Sequence, residues 1–281
     1  MTRARKRIMT WIFILLSLYV VYCGLLFFFQ AKLIFPASMA GPPSETLPTA
    51  DTVVIERSTE EGTTTAWFVL APGSDNGKDE PKPLAVFFHG NAELIDHQHA
   101  IIDLYHGLGI HVLLVEYRGY GHSDGTPSQD HIVTDSVAVL EGVLKREGVD
   151  ADSLILHGRS IGGGLAAQVA LQTDAAALIV ESTFASVSGM ALRYGAPPFL
   201  VRSPLNTEQA FEELGLPILI MHGKADAMIP VSQAQKLEAA AADARLVLFD
   251  AHHNSLPNGS EVLLYRQEIN DLLKRAGVFP E

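Results

Sequence analysis

The sequence predicts an α/β fold, with a mostly parallel central sheet and helices on both faces, preceded by one transmembrane helix. Three observations predict it. Short runs without polar residues, such as 84–88 and 177–180, alternate with longer helical stretches, the pattern of strands buried on both faces. A strand-like run at 154–157 enters Gly158-Arg159-Ser160-Ile161-Gly162, and an Ala-rich helical run follows from Leu165 to Leu171. From Ile8 to Phe29 no residue is charged. At about 1.5 Å per residue that run reaches roughly 33 Å, enough to cross a hydrocarbon core.

A chain of 281 residues suits one large α/β domain with an appendage. A formal net charge of -12 argues against nucleic-acid binding. Cys23 is the single cysteine, so there is neither a disulfide framework nor a cysteine-based metal site.

Residues 1–7 form a basic tail with Arg3, Arg5, Lys6 and Arg7. Residues 8–29 form the anchor. A cleaved signal peptide would have a shorter apolar core and a small-x-small site, whereas this run ends in Leu25-Leu26-Phe27-Phe28-Phe29. A lipoprotein signal at Cys23 would need a small residue where Tyr22 stands. The basic flank should stay in the cytoplasm, which puts the remainder on the non-cytoplasmic side. Residues 30–52 are a linker with Pro36, Pro42, Pro43 and Pro48. Within it, Lys32-Leu33-Ile34-Phe35 is expected to dock at the membrane surface or on the domain.

The domain occupies 53–281. Strands are expected at 52–57 and 64–70 as an antiparallel pair, then at 84–88, 111–117, 153–157, 177–180, 217–221 and 245–249. A polar loop is expected at 72–83. Helices are expected at 93–108, 129–147, after Ser160, at 232–242 and at 261–276. About thirty residues, 184–216, separate two successive strands, longer than the usual connection. Their apolar members, Phe199 and Leu200 among them, are expected to form a small lid over Ser160 and line a substrate pocket. Ordinary helix-on-sheet packing is the competing expectation.

Strand, sharp turn and helix, with Ser at the turn, is the context of a nucleophile elbow. The strained turn needs minimal neighbours two residues before and after, which Gly158 and Gly162 supply. Gly121-His122-Ser123-Asp124-Gly125 matches the same pattern, but Thr126-Pro127-Ser128 follows it, a loop rather than a helix. That copy is expected to be a surface turn. In open α/β sheets, active sites lie at the carboxyl ends of strands. After 217–221 comes His222-Gly223-Lys224-Ala225-Asp226, and after 245–249 comes Asp250-Ala251-His252-His253-Asn254. The chain order Ser160, Asp226, His253 is therefore nucleophile, acid, base. Glu181, at the end of 177–180, is the rival acid; otherwise it should hydrogen-bond loop backbone nearby. Ile161 should lend one backbone N–H to the oxyanion.

From about Val53 onward the chain resembles an α/β-hydrolase. It is most similar to the small membrane-anchored subgroup that includes eukaryotic protein depalmitoylases and their bacterial relatives. The matching pieces are His89-Gly90-Asn91-Ala92, Tyr117-Arg118-Gly119-Tyr120-Gly121, Gly158 to Gly164, Glu181-Ser182-Thr183-Phe184, His222-Gly223-Lys224-Ala225-Asp226 and His253-Asn254. The resemblance implies that Asn91 supplies the second oxyanion N–H. It also implies Gly directly before the catalytic His, where this chain has His252. Asn254 follows His253 as the family pattern requires, which selects His253 over His252.

No cofactor is expected. His97, His99, His106 and His111 lack metal-ligand spacing and are expected at the surface, so no metal is expected either. The leading expectation is a membrane-anchored serine hydrolase cleaving carboxylic esters or thioesters, with an acyl lipid or acylated molecule as substrate. A serine peptidase on the same fold and a non-catalytic binding module are the alternatives.

Overall fold

The computed structural model describes residues 2–74 and 80–279. Part of the loop expected at 72–83 therefore lies outside the described residues. The chain opens with α1 (Arg3–Ile34), by length and composition able to cross a membrane. The sheet elements are β1 (Thr52–Thr59), β2 (Gly62–Val69), β3 (Lys82–Phe88), β4 (His111–Val115), β5 (Val149–Arg159), β6 (Ala177–Glu181), β7 (Ile218–Gly223) and β8 (Ala244–Phe249). Between and after them run α2 (His99–His106), α3 (Gln129–Leu144), α4 (Ile161–Ala170), α5 (Val187–Arg193), α6 (Thr207–Glu213), α7 (Val231–Ala240) and α8 (Val262–Arg275).

The eight strands form one sheet in the order β1-β2-β4-β3-β5-β6-β7-β8. The β1–β2 and β2–β4 pairs are antiparallel and the rest parallel. Strand side chains alternate between two buried faces. Leu84, Val86 and Phe88 join a core with Leu140, Leu165 and Phe211, whereas Ala85 and Phe87 join another with Tyr105, Ile269 and Leu273. Both faces are dry, which explains why these strands carry no polar alternation.

Several element boundaries differ from the sequence expectation: β5 begins at Val149 rather than 153, and α3 ends at Leu144 rather than 147. The helix expected at 93–108 is a single 3-10 turn, Ile95–His97, followed by the shorter α2. Gln98 sits between them, and its Nε2 donates to Leu94 O and Glu93 Oε2. The strand expected to reach Tyr117 ends at Val115. The linker expected from Gln30 begins later, because α1 continues through Gln30-Ala31-Lys32-Leu33-Ile34. Helix formers carry it on until Pro36, which disfavours helical backbone at Phe35. Phe35 is buried in the domain core. Of the segment 32–35, Phe35 docks on the domain with Ile34 partly buried beside it, and Lys32 and Leu33 are exposed.

Candidate active site

Carboxyl ends of β3, β5, β6, β7 and β8 converge because these strands are parallel neighbours. Between β5 and α4 the backbone turns sharply at Ser160, with φ 54° and ψ -118°. This left-handed region is costly for a residue with a side chain and is held by its surroundings. Ser160 N donates to Glu181 O at 2.8 Å, and Thr183 Oγ1 donates to Ser160 O at 2.7 Å. The flanking glycines are required by close approach. A Cβ on Gly158 would lie 2.2 Å from Gly162 O, and one on Gly162 would lie 2.0 Å from Phe88 O.

The loops after β7 and β8 bring two further groups to Ser160. His253 Nε2 lies 3.1 Å from Ser160 Oγ, and His253 Nδ1 lies 2.7 Å from Asp226 Oδ2. The other oxygen of Asp226 accepts from Met228 N at 2.9 Å and Ile229 N at 2.8 Å. Both oxygens are thus engaged, and the carboxylate cannot rotate without losing hydrogen bonds. His222 lies behind it, Nε2 donating to Ile229 O at 2.8 Å. Burial, the largest influence on His222, pushes its pKa down and keeps its ring neutral at neutral pH. His252 is exposed, with Nδ1 3.0 Å from Ala225 O.

Comparison with known proteins places the chain in a family. The chain is 33% identical over 196 residues to the α/β hydrolase domain-containing protein WAV2 of Arabidopsis thaliana, a match that covers 63% of this chain and 62% of that protein, short of two thirds of its length. It is 30% identical over 230 residues to the protein YfhR of Escherichia coli K12, covering 79% of this chain and 80% of the relative. The chain belongs to the α/β-hydrolase superfamily. Residues 79–205 match the family described as serine aminopeptidase, S33. The propionate-bound structure of an esterase from Thermogutta terrifontis superposes with a TM-score of 0.66 at 17% identity, covering 83% of this chain and 97% of that one. At that identity the likeness shows the fold.

Within this α/β-hydrolase, the loop after β3 carries Asn91. Among the described residues neither the Asn91 nor the Ile161 N–H has a protein acceptor, so both are free to donate. The Asn91 loop is pinned by the loop that follows β4: Tyr117 Oη donates to His89 O at 2.8 Å and Tyr120 Oη to Asn91 O at 2.9 Å, while the His89 ring stacks on Tyr117 at 3.9 Å. These two tyrosines are positioning residues that sequence reasoning quoted only as part of a motif. A shallow cavity of about 300 Å³, lined by Met228, His252 and His253 among others, opens beside the imidazole.

Glu181 does not face His253. Its carboxylate is fully buried, 2.8 Å from His157 Nε2 and 2.8 Å from Arg159 Nε, and accepts from Tyr265 Oη. It therefore bonds side chains rather than the loop backbone expected. Ser123 is also placed differently. It is buried, accepting from Thr65 N and donating to Glu116 O, rather than exposed in a surface turn. His111 is buried in β4, its Nδ1 accepting from Ala71 N and its Nε2 donating to Gly148 O. It is a core histidine instead of a surface one; His97 and His99 are exposed. Asp96, Glu116 and His122 each present a ligand-type atom within 4.8 Å of the others. As they stand, His122 Nε2 pairs with Asp96 Oδ2 at 3.1 Å and Glu116 faces His89 Nε2 at 3.0 Å.

Within the 184–216 segment, Phe184, Leu205, Phe211 and Leu214 pack in the sheet core, as the competing expectation had it, whereas Val187, Met190, Ala191, Leu200 and Val201 face α1. Leu200 lines a cavity with Tyr22, Leu26 and Phe27 that contains neither Ser160 nor His253, and Phe199 is 84% exposed. The lid expected over Ser160 is turned toward α1, because Phe35 anchors the end of that helix in the core and holds it against the segment.

Proposed function

We propose that this chain is a membrane-anchored serine hydrolase that cleaves carboxylic esters or thioesters. The observation that carries this reading is the hydrogen-bonded relay Ser160 Oγ–His253 Nε2 and His253 Nδ1–Asp226 Oδ2, at 3.1 and 2.7 Å. Ser160 Oγ attacks the acyl carbon while His253 Nε2 takes the hydroxyl proton. The oxyanion accepts from the N–H groups of Ile161 and Asn91. Collapse breaks the bond to the alcohol or thiol, which leaves with the proton from His253. Water then attacks the acyl-enzyme, His253 again taking the proton, and the acid departs. Asp226 holds the imidazole with Nε2 facing Ser160. In this reading α1 is the anchor and the basic tail stays in the cytoplasm, so the catalytic domain lies on the non-cytoplasmic face.

The serine aminopeptidase description of the matching family supports a second reading on the same relay. Labelling with a fluorophosphonate, followed by a panel of acyl esters, acyl thioesters and aminoacyl anilides, tests both. Ser160→Ala should abolish labelling and turnover, and the esters or thioesters should be the faster substrates. Ser123→Ala should keep labelling while losing about 1–3 kcal/mol of stability for its buried partners. Labelling that survives in Ser160→Ala refutes the nucleophile, and preference for the anilides favours the peptidase.

A further inference from the structure

The second half of α1 does not stand free of the domain. Tyr19 Oη donates to Gly195 O at 2.9 Å and Tyr22 Oη to Tyr194 O at 2.6 Å. Further along, Gln30 Nε2 donates to Leu200 O at 3.0 Å and Gln30 Oε1 accepts from Arg202 N at 2.7 Å. The Arg202 guanidinium lies 4.9 Å from the centre of the Phe27 ring. The 187–202 segment is therefore fastened to α1 over about 17 Å of helix axis.

That length conflicts with a domain held clear of the bilayer. A hydrocarbon core of about 30 Å takes about 20 helical residues. With the core beginning at Ile8, where charge stops, it ends near Phe27. Gln30 then lies just beyond the far boundary, whereas Tyr22 lies roughly 8 Å and Tyr19 roughly 12 Å inside it. The tip of the segment, bonded to both tyrosines, must share that depth.

The tip is built for a place without water. Carbonyls at a helix C-terminus lack helical partners, and in hydrocarbon an unpaired one costs several kcal/mol. At the end of α5, Ala191 O accepts from Tyr194 N and Ala196 N, and Leu192 O accepts from Gly195 N. Tyr194 O and Gly195 O take the two tyrosine hydroxyls of α1. The outward side chains are apolar too: Leu192, Tyr194 and Phe199 are 58%, 70% and 84% exposed. Arg193 and Arg202 are exposed as well, and their long stems allow the charged ends to reach the headgroups. Between α1 and the segment lies a cavity of about 430 Å³, lined chiefly by apolar side chains such as Leu26, Phe27, Leu33, Met190 and Leu200.

We propose that the 187–202 segment is immersed in the leaflet on the domain's side, and that the cavity between it and α1 takes an acyl chain of a membrane phospholipid. The inference rests on the reading of α1 as a spanning anchor. It narrows the substrate class to acyl compounds resident in that leaflet.

The single cysteine makes the test direct. In a Cys23→Ser background, Leu192→Cys, Phe199→Cys, Leu15→Cys and Leu263→Cys are spin-labelled in the full chain and reconstituted into phosphatidylcholine vesicles. Accessibility to oxygen is compared with accessibility to a water-soluble nickel chelate. Positions 192, 199 and 15 should favour oxygen several-fold, and position 263, exposed on α8, should favour nickel. Aqueous behaviour at 192 and 199 with lipid-like behaviour at 15 overturns the inference alone. Aqueous behaviour at 15 as well overturns the anchor and the inference together. A phosphatidylcholine with a diazirine on its acyl chain should crosslink to the cavity, and Ala191→Trp, which fills it, should reduce crosslinking several-fold. Unchanged crosslinking overturns the cavity assignment. Neither readout depends on hydrolysis, so both can be repeated in Ser160→Ala.

Discussion

Replacing Glu181 by Gln separates structural from catalytic carboxylates, and its cost can be worked from the structure. Glu181 is fully buried at the end of β6 and meets His157, Arg159 and Tyr265. Burial pushes its pKa up, but the Arg159 charge and the His157 and Tyr265 hydrogen bonds together bring it from 4.5 down to about 2. A depressed folded pKa means that the ionised form stabilises the fold. That contribution is complete above the unfolded value near 4.5 and is lost as pH falls toward about 2. The drop of about 2.5 pH units corresponds to about 3 kcal/mol. In Glu181→Gln, the one carboxylate left to Arg159 among the described residues is Glu93, at 3.5 Å. At pH 7 the full chain in detergent should melt about 6–12 °C lower, taking 2–4 °C per kcal/mol for a domain of this size. The difference from wild type should shrink steadily below pH 4.5. Fluorophosphonate labelling, measured well below the melting range, should persist. An unshifted melt with lost labelling would refute this reasoning and make Glu181, rather than Asp226, the partner of the base.

Two further outcomes test the site and its setting. His253→Ala should cut turnover by several orders of magnitude, toward the roughly 10³–10⁴-fold over water that remains when a triad member is removed, whereas His252→Ala, which loses only its contact with Ala225 O, should cost a few-fold; steady-state assays showing the reverse order would reassign the base. Protease added to intact cells or spheroplasts should digest the catalytic domain, and full protection until lysis would place it on the cytoplasmic face.

The strands and their order of chemistry were legible because burial on both faces leaves short apolar runs that alternate with longer helical stretches. The elbow was legible because Gly158 and Gly162 answer contacts of 2.2 and 2.0 Å with neighbouring backbone. What escaped sequence reasoning depends on long-range partners. Ser123 shares the Gly-x-Ser-x-Gly pattern of the elbow, yet its hydroxyl is taken by the nearby Glu116 O and by Thr65 N, distant in sequence. His111 follows a helix in a stretch with other histidines, and the pairing of β4 and β5 with opposite edges of β3 brings it beside Gly148 and into the core. The end of α1 escaped because apolarity marks where a membrane span stops, not where a helix stops. Gln30 reads as the first polar residue of a linker, yet its amide is satisfied by Phe27, Leu200 and Arg202.

The histidine pair shows how a departure from the family pattern can be structurally neutral. Glycine before a catalytic histidine is needed if the backbone there has positive φ or if a Cβ would meet a neighbour. Among the described residues the non-glycine positions with positive φ are Ser160, Ser182 and Leu205, so His252 needs no glycine conformation. The tight approach in this region falls on Gly223, where a Cβ would lie 2.4 Å from Ala251 O and 3.2 Å from His252 O. The glycine at the end of β7 thus lets the loop after β8 close against the sheet. The side chain of His252 points to solvent, and the loop still delivers His253 Nε2 to Ser160. In this chain the close approach needs a glycine at position 223 in β7, and position 252 carries an exposed ring.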